Sequence, residues 1–87
     1  MKITKIWAIR CASCIVMRAI FSDIEKEYNI ADITNYDFDN DKEKFESLDI
    51  WNTLPVIIVY DDNNNELTRI VWEVSKKELK KIFEELN

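Results

Sequence analysis

With 87 residues the chain is expected to form one small domain spanning 1–87. A chain of this size buries only about 60–65% of its unfolded surface. Hydrophobic residues at 47% and aromatics at 11% supply a core and exclude a disordered chain. A net charge of −5 argues against a nucleic-acid partner, and the absence of Gly and His excludes Gly-rich phosphate loops, imidazole catalysis and imidazole metal ligation.

The first ten residues, MKITKIWAIR, are too short and too interrupted by charge for a signal peptide, and no apolar run reaches membrane-spanning length. A cytoplasmic location without a membrane partner is the expectation. Ile3 to Ile9 is largely apolar and β-branched and reads as a mostly buried strand. Beyond Cys14 the period changes: Met17, Ile20, Phe21, Ile24 and Tyr28 form one stripe of a helix. Ile30 to Phe38 reads as a second strand with Ile33, Tyr36 and Phe38 facing inward. Asn40 with Glu43 resembles a capping box opening a short helix around Phe45 and Leu48. Leu54-Pro55 opens a strand, PVIIVY; the turn at Asp61 to Asn65 leads into another, Leu67 to Trp72. Ser75 with Glu78 caps a last helix carrying Leu79, Ile82, Phe83 and Leu86, while Lys76, Lys77, Lys80 and Lys81, interleaved with glutamates, read as its solvated face. The order β-α-β-α-β-β-α predicts an α/β fold, a mixed four-stranded sheet flanked by three helices.

The only two cysteines are expected at the end of the first strand, Cys11, and one turn inside the first helix, Cys14. In a reducing cytosol a permanent structural disulfide is disfavoured, so such a pair is expected to be catalytic or metal-binding. At a helix N-terminus, unpaired N–H groups and the helix dipole favour a thiolate on Cys11, with Arg10 adding a positive charge next door. Cys14, one turn on, is near enough to form a disulfide with it. Other readings stand beside this one. A zinc site needs two more ligands, from carboxylates or a second chain, and an iron–sulfur cluster would have to bridge two subunits. Two inert core cysteines would leave a non-catalytic interaction module.

The C-x-x-C at Cys11–Cys14, with Ile6-Trp7-Ala8 ahead of it, Asp39 at the end of the next strand, Leu54-Pro55-Val56 and the final strand–Ser75–helix segment, resembles the thioredoxin superfamily. The resemblance covers essentially the whole chain, without the extra N-terminal strand and helix of full-size thioredoxins, as in glutaredoxin-sized members. It implies a thioredoxin-like fold and a thiol–disulfide oxidoreductase that reduces protein disulfides. Cys11 would be the nucleophile and Cys14 the resolving cysteine, with no cofactor beyond their own redox-active disulfide. It further implies a cis peptide at Pro55, substrate binding by Leu54, Pro55 and Trp72, and a thioredoxin-reductase-type flavoprotein or glutathione as electron source to a monomer. A glutaredoxin-like or isomerase role is the alternative, although Trp72-Glu73-Val74-Ser75 lacks that group's glycines. Arg10, Ala12 and Ser13 depart from the usual motif and would modulate it. Lys5 stands where thioredoxins bury an aspartate, and is either a replacement base or a residue that turns to solvent or pairs with a carboxylate. Trp72 stands near a position where thioredoxins carry Gly.

Overall fold

The computed structural model describes residues 1–9, 11–48 and 54–86. Along the chain run β1 (Lys2–Trp7), α1 (Ala12–Glu27), β2 (Asp32–Asp37), α2 (Lys42–Phe45) with a following 3-10 turn (Glu46–Leu48), β3 (Val56–Tyr60), β4 (Glu66–Val71) and α3 (Lys76–Leu86). The strands form one sheet in the order β2-β1-β3-β4; β1 and β2 are parallel, and the other pairs are antiparallel. Both the predicted element order and the mixed four-stranded sheet are present. Among the described residues, no helix is long and apolar enough to cross a membrane.

Central β1 and β3 carry apolar side chains on both faces, which is why PVIIVY reads as an unbroken apolar run rather than an alternating one. Ile3, Ile57 and Val59 pack with Met17, Phe21 and Ile24 of α1 and Leu79 and Phe83 of α3. Ile6, Ala8, Val56 and Ile58 pack on the opposite side with Phe45 and Leu54. Edge strand β2 serves both layers: Ile33 packs against the first cluster and Tyr36, with Phe38 just past the strand, against the second. The α1 stripe falls as its period predicts, with Met17, Phe21 and Ile24 buried and Ile20 and Tyr28 partly so. Ser75 Oγ accepts from the Glu78 N–H at 3.2 Å, the first arm of the expected capping box.

The second cap is a correction. Asp41, not Asn40, stands at the N-cap of α2, and its side chain makes no capping bond there. Its carboxylate instead accepts from the Asp37 N–H at 2.9 Å, while Asp37 Oδ1 accepts from the N–H groups of Asp39 and Asn40 at 2.8 and 3.3 Å. The turn is thus organised by the carboxylate at the end of β2 and the one that begins α2.

Phe83 is fully buried against the rings of Phe21 and Tyr28, with centroids 5.9 and 5.6 Å away. Phe83→Ala should therefore lower the unfolding free energy by about 3–5 kcal/mol, through lost burial and the cavity left behind. Urea denaturation reads this directly, and exposed Ile15→Ala should stay within about 0.5 kcal/mol of wild type.

Candidate active site

The first strand ends at Trp7, four residues before Cys11, so Cys11 is not at the strand end as expected. A turn lies between them, closed by the Cys11 N–H donating to Ala8 O at 3.2 Å. Cys11 has extended backbone (φ −88°, ψ 113°) and is the N-cap of α1. Its sulfur takes the part usually played by a Ser or Asp oxygen: the Cys14 N–H donates to Cys11 Sγ at 3.2 Å. The sulfur thus satisfies one of the N–H groups that the first turn of the helix leaves without an intrahelical partner. On its other side, Cys11 Sγ donates to Leu54 O over 3.8 Å.

Both thiols are free, and they differ in access: Cys11 is partly exposed and Cys14 only 3% exposed. Burial, and next the hydrogen bond with Cys11, push the Cys14 thiol up to about 11, against a smaller pull downward from the Ala8 backbone and the charge of Arg18. Cys14 is thus protonated at neutral pH, while Cys11 presents its sulfur to the outside. Among the described residues, no group of three or more His, Cys, Asp or Glu is placed to hold a metal ion.

Leu54 and Pro55 are buried beside this pair, and the peptide bond joining them is cis. The Trp72 N–H donates to Pro55 O at 3.1 Å, which brings the end of β4 against the proline. Ser13 Oγ donates to Glu73 Oε2 at 3.3 Å and joins the helix start to the same segment. Cys11, Leu54, Pro55, Trp72, Glu73 and Ser13 therefore form one ring of contacts. Trp72 is 55% exposed and has a φ of 77°. A left-handed backbone costs a residue with a Cβ about 1–2 kcal/mol, which glycine avoids. The bulky residue at a place where the family carries glycine is the one signal of this in the sequence.

Lys5 does pair with a carboxylate: its Nζ donates to Glu25 Oε1 at 2.6 Å and lies 5.2 Å from the Phe21 ring centroid. Lys5, Trp7, Cys14, Arg18, Asn35 and Pro55 line a cavity of about 400 Å³ on the α1 side of the sheet. Arg18 went unnoticed in the sequence. Its guanidinium stacks on the Trp7 ring at 3.8 Å, and its spacing of four residues from Cys14 on a helix is the signal that would have found it. Ala12 is exposed, and Asp39 lies in the turn beyond β2 rather than in the strand. Arg10 lies outside the described residues.

No protein-family model and no curated protein matches the sequence. Solved structures match over nearly the whole chain. Thioredoxin 1 from Thermosipho africanus is 26% identical, with a TM-score of 0.78 over 99% of this chain and 93% of that one. Plasmodium falciparum thioredoxin is 18% identical, with a TM-score of 0.77 over 99% and 85%. Mitochondrial thioredoxin 3 from Saccharomyces cerevisiae, in its oxidised form, is 14% identical, with a TM-score of 0.78 over 95% and 76%. The chain has a thioredoxin-superfamily fold. In this thioredoxin fold a cysteine pair sits at the head of α1, an arrangement suited to thiol–disulfide redox chemistry.

Burial of the Cys14 thiol has a consequence for stability. The unfolded chain loses this proton near 9, the folded chain only near 11. The contribution is fully present below pH 9 and is lost as pH rises through 11, because the unfolded state binds fewer protons there. Wild type should lose about 2 kcal/mol more stability than Cys14→Ser between pH 8 and 11, as measured by urea denaturation at each pH. Parallel pH profiles for the two proteins would contradict the buried, protonated thiol.

Proposed function

We propose that the chain is a thiol–disulfide oxidoreductase that reduces disulfides of partner proteins, with Cys11 as nucleophile and Cys14 as resolving cysteine. The observation that carries this reading is the asymmetric pair: a partly exposed sulfur capping a helix, 3.2 Å from the backbone N–H of a buried thiol one turn away. The Cys11 thiolate attacks one sulfur of the partner disulfide. That S–S bond breaks, a mixed disulfide forms, and the other partner sulfur leaves as a thiolate that takes up a proton. Cys14 then gives up its proton and attacks the Cys11 sulfur, expelling the second partner thiolate. Two electrons have passed to the partner, whose two thiolates take one proton from Cys14 and one from solvent, and Cys11 and Cys14 are left joined by a disulfide.

The dithiol itself carries the electrons in this scheme, so no bound cofactor is invoked. A thioredoxin-reductase-type flavoprotein returns two electrons to the oxidised pair, and the proposed setting is the reducing cytoplasm. Glutathione is the alternative donor. Against it stand the missing glycines of Trp72–Ser75 and the Glu73 carboxylate, which would repel the carboxylates of glutathione. Leu54 and Pro55, held against Cys11, are proposed to align the partner backbone.

The division of labour is tested by trapping. Cys14→Ser should accumulate mixed disulfides with partner proteins, visible on non-reducing gels and released by dithiothreitol. Cys11→Ser should accumulate none. Equal trapping by both variants would contradict the assigned roles.

A further inference from the structure

Among the described residues, three non-glycine residues have left-handed backbone: Asn29 at φ 54°, Asn64 at φ 66° and Trp72 at φ 77°. The two asparagines lie in turns, and short polar side chains tolerate that conformation. For a tryptophan it is an outlier, of the kind that persists only where neighbouring structure over-determines it, and such outliers cluster at sites that clamp ligands. The neighbouring structure here is the thiol site. The Trp72 N–H is held by Pro55 O at 3.1 Å, and the next residue, Glu73, is held by Ser13 Oγ at 3.3 Å. Across the same ring, Cys11 Sγ reaches Leu54 O at 3.8 Å. The held segment thus presents two consecutive exposed residues, Trp72 and Glu73, tied to Pro55 and to Ser13 next to the cysteine pair.

We infer that Trp72 and Glu73 form a specificity subsite for a basic side chain next to the disulfide cysteine of the partner. An indole face and a carboxylate offer a cation two complementary attractions, ring quadrupole and charge. Among the described residues, Lys76 pairs with Asp23 at 3.2 Å and Arg18 stacks on Trp7 at 3.8 Å, so both have partners other than Glu73. The net charge of −5 adds a longer-range pull on basic partners. An acidic neighbour would meet Glu73 with like charge, and an apolar one would gain the indole but not the carboxylate. This subsite rests on the thiol–disulfide reading above and narrows it to a class of partner.

Three oxidised peptides that differ only in carrying Arg, Leu or Glu beside the cysteine provide the test. Second-order rates of their reduction by the fully reduced protein are each divided by the rate with dithiothreitol, which removes the reactivity of the peptide itself. The Arg peptide should exceed the Glu peptide by about tenfold and the Leu peptide by about threefold at low salt, with both ratios shrinking as salt rises. Glu73→Gln should cut the Arg-to-Glu ratio to about twofold. Trp72→Gly should bring the Arg-to-Leu ratio close to one, and Trp72→Phe should restore most of it. Each ratio is internal to one protein, so a general loss of activity does not distort it. Reduction of all three peptides without discrimination, or ratios unchanged in both variants, overturns the subsite and leaves the redox function standing. A Leu peptide that matches or exceeds Arg overturns it in favour of an apolar partner. Failure to reduce any peptide overturns the redox function, and the subsite with it.

Discussion

A sulfur stands at the N-cap of α1 where proteins ordinarily place an oxygen, and the site is arranged around that substitution. The first turn of any helix has backbone N–H groups without intrahelical partners. Here one of them, from Cys14, is turned toward the sulfur of Cys11. The same bond that starts the helix draws the two cysteines together and supplies a donor to the sulfur that is accessible from outside. Cys14 is carried by that turn into the apolar layer with Ile6, Ala8 and Val56. One local interaction thus produces two thiols of opposite character, and the helix behind them is held by the buried stripe of Met17, Phe21 and Ile24.

The absence of glycine is a second constraint. Left-handed positions still have to be filled, and among the described residues two go to asparagine in turns. The third goes to Trp72, at a point where β4 turns away after its last pairing with β3 and meets Pro55. The backbone cost there is of the order of 1–2 kcal/mol, a sizeable fraction of the stability of a small domain. A glycine would remove that cost and also the indole. Lys5 presents a comparable substitution on the other side of the sheet: its charge is met by Glu25 of α1, one element away in the chain, so the position remains half-buried without an unpaired ion.

Repeating patterns made most of the fold legible. The stripes of α1 and α3 and the apolar run of β3 are periodic signals that survive folding because burial enforces them. Ser75 and Glu78 were readable because a capping oxygen is a common residue in a common place. The start of α1 was less so, since sulfur is not among the usual caps and the turn from Ala8 to Cys11 has no compositional mark. The choice between Asn40 and Asp41 depended on Asp37, whose carboxylate organises the turn from the preceding strand. For the site, the spacing of the cysteines and the Leu54-Pro55 pair could be read from the residues and their resemblance to a known family. The partner of Lys5, the Arg18–Trp7 stack and the Glu73–Ser13 contact could not, because each joins residues whose proximity exists only after the sheet and helices assemble.

The central claim is that Cys11 and Cys14 exchange two electrons reversibly with an external disulfide, and an equilibrium redox titration in dithiol buffers tests it most directly. Tryptophan fluorescence provides the readout, since the chain has three tryptophans. A single two-electron transition near the thioredoxin range, about −270 mV, is the predicted result. A protein that forms no reversible intramolecular disulfide at any potential would contradict the account.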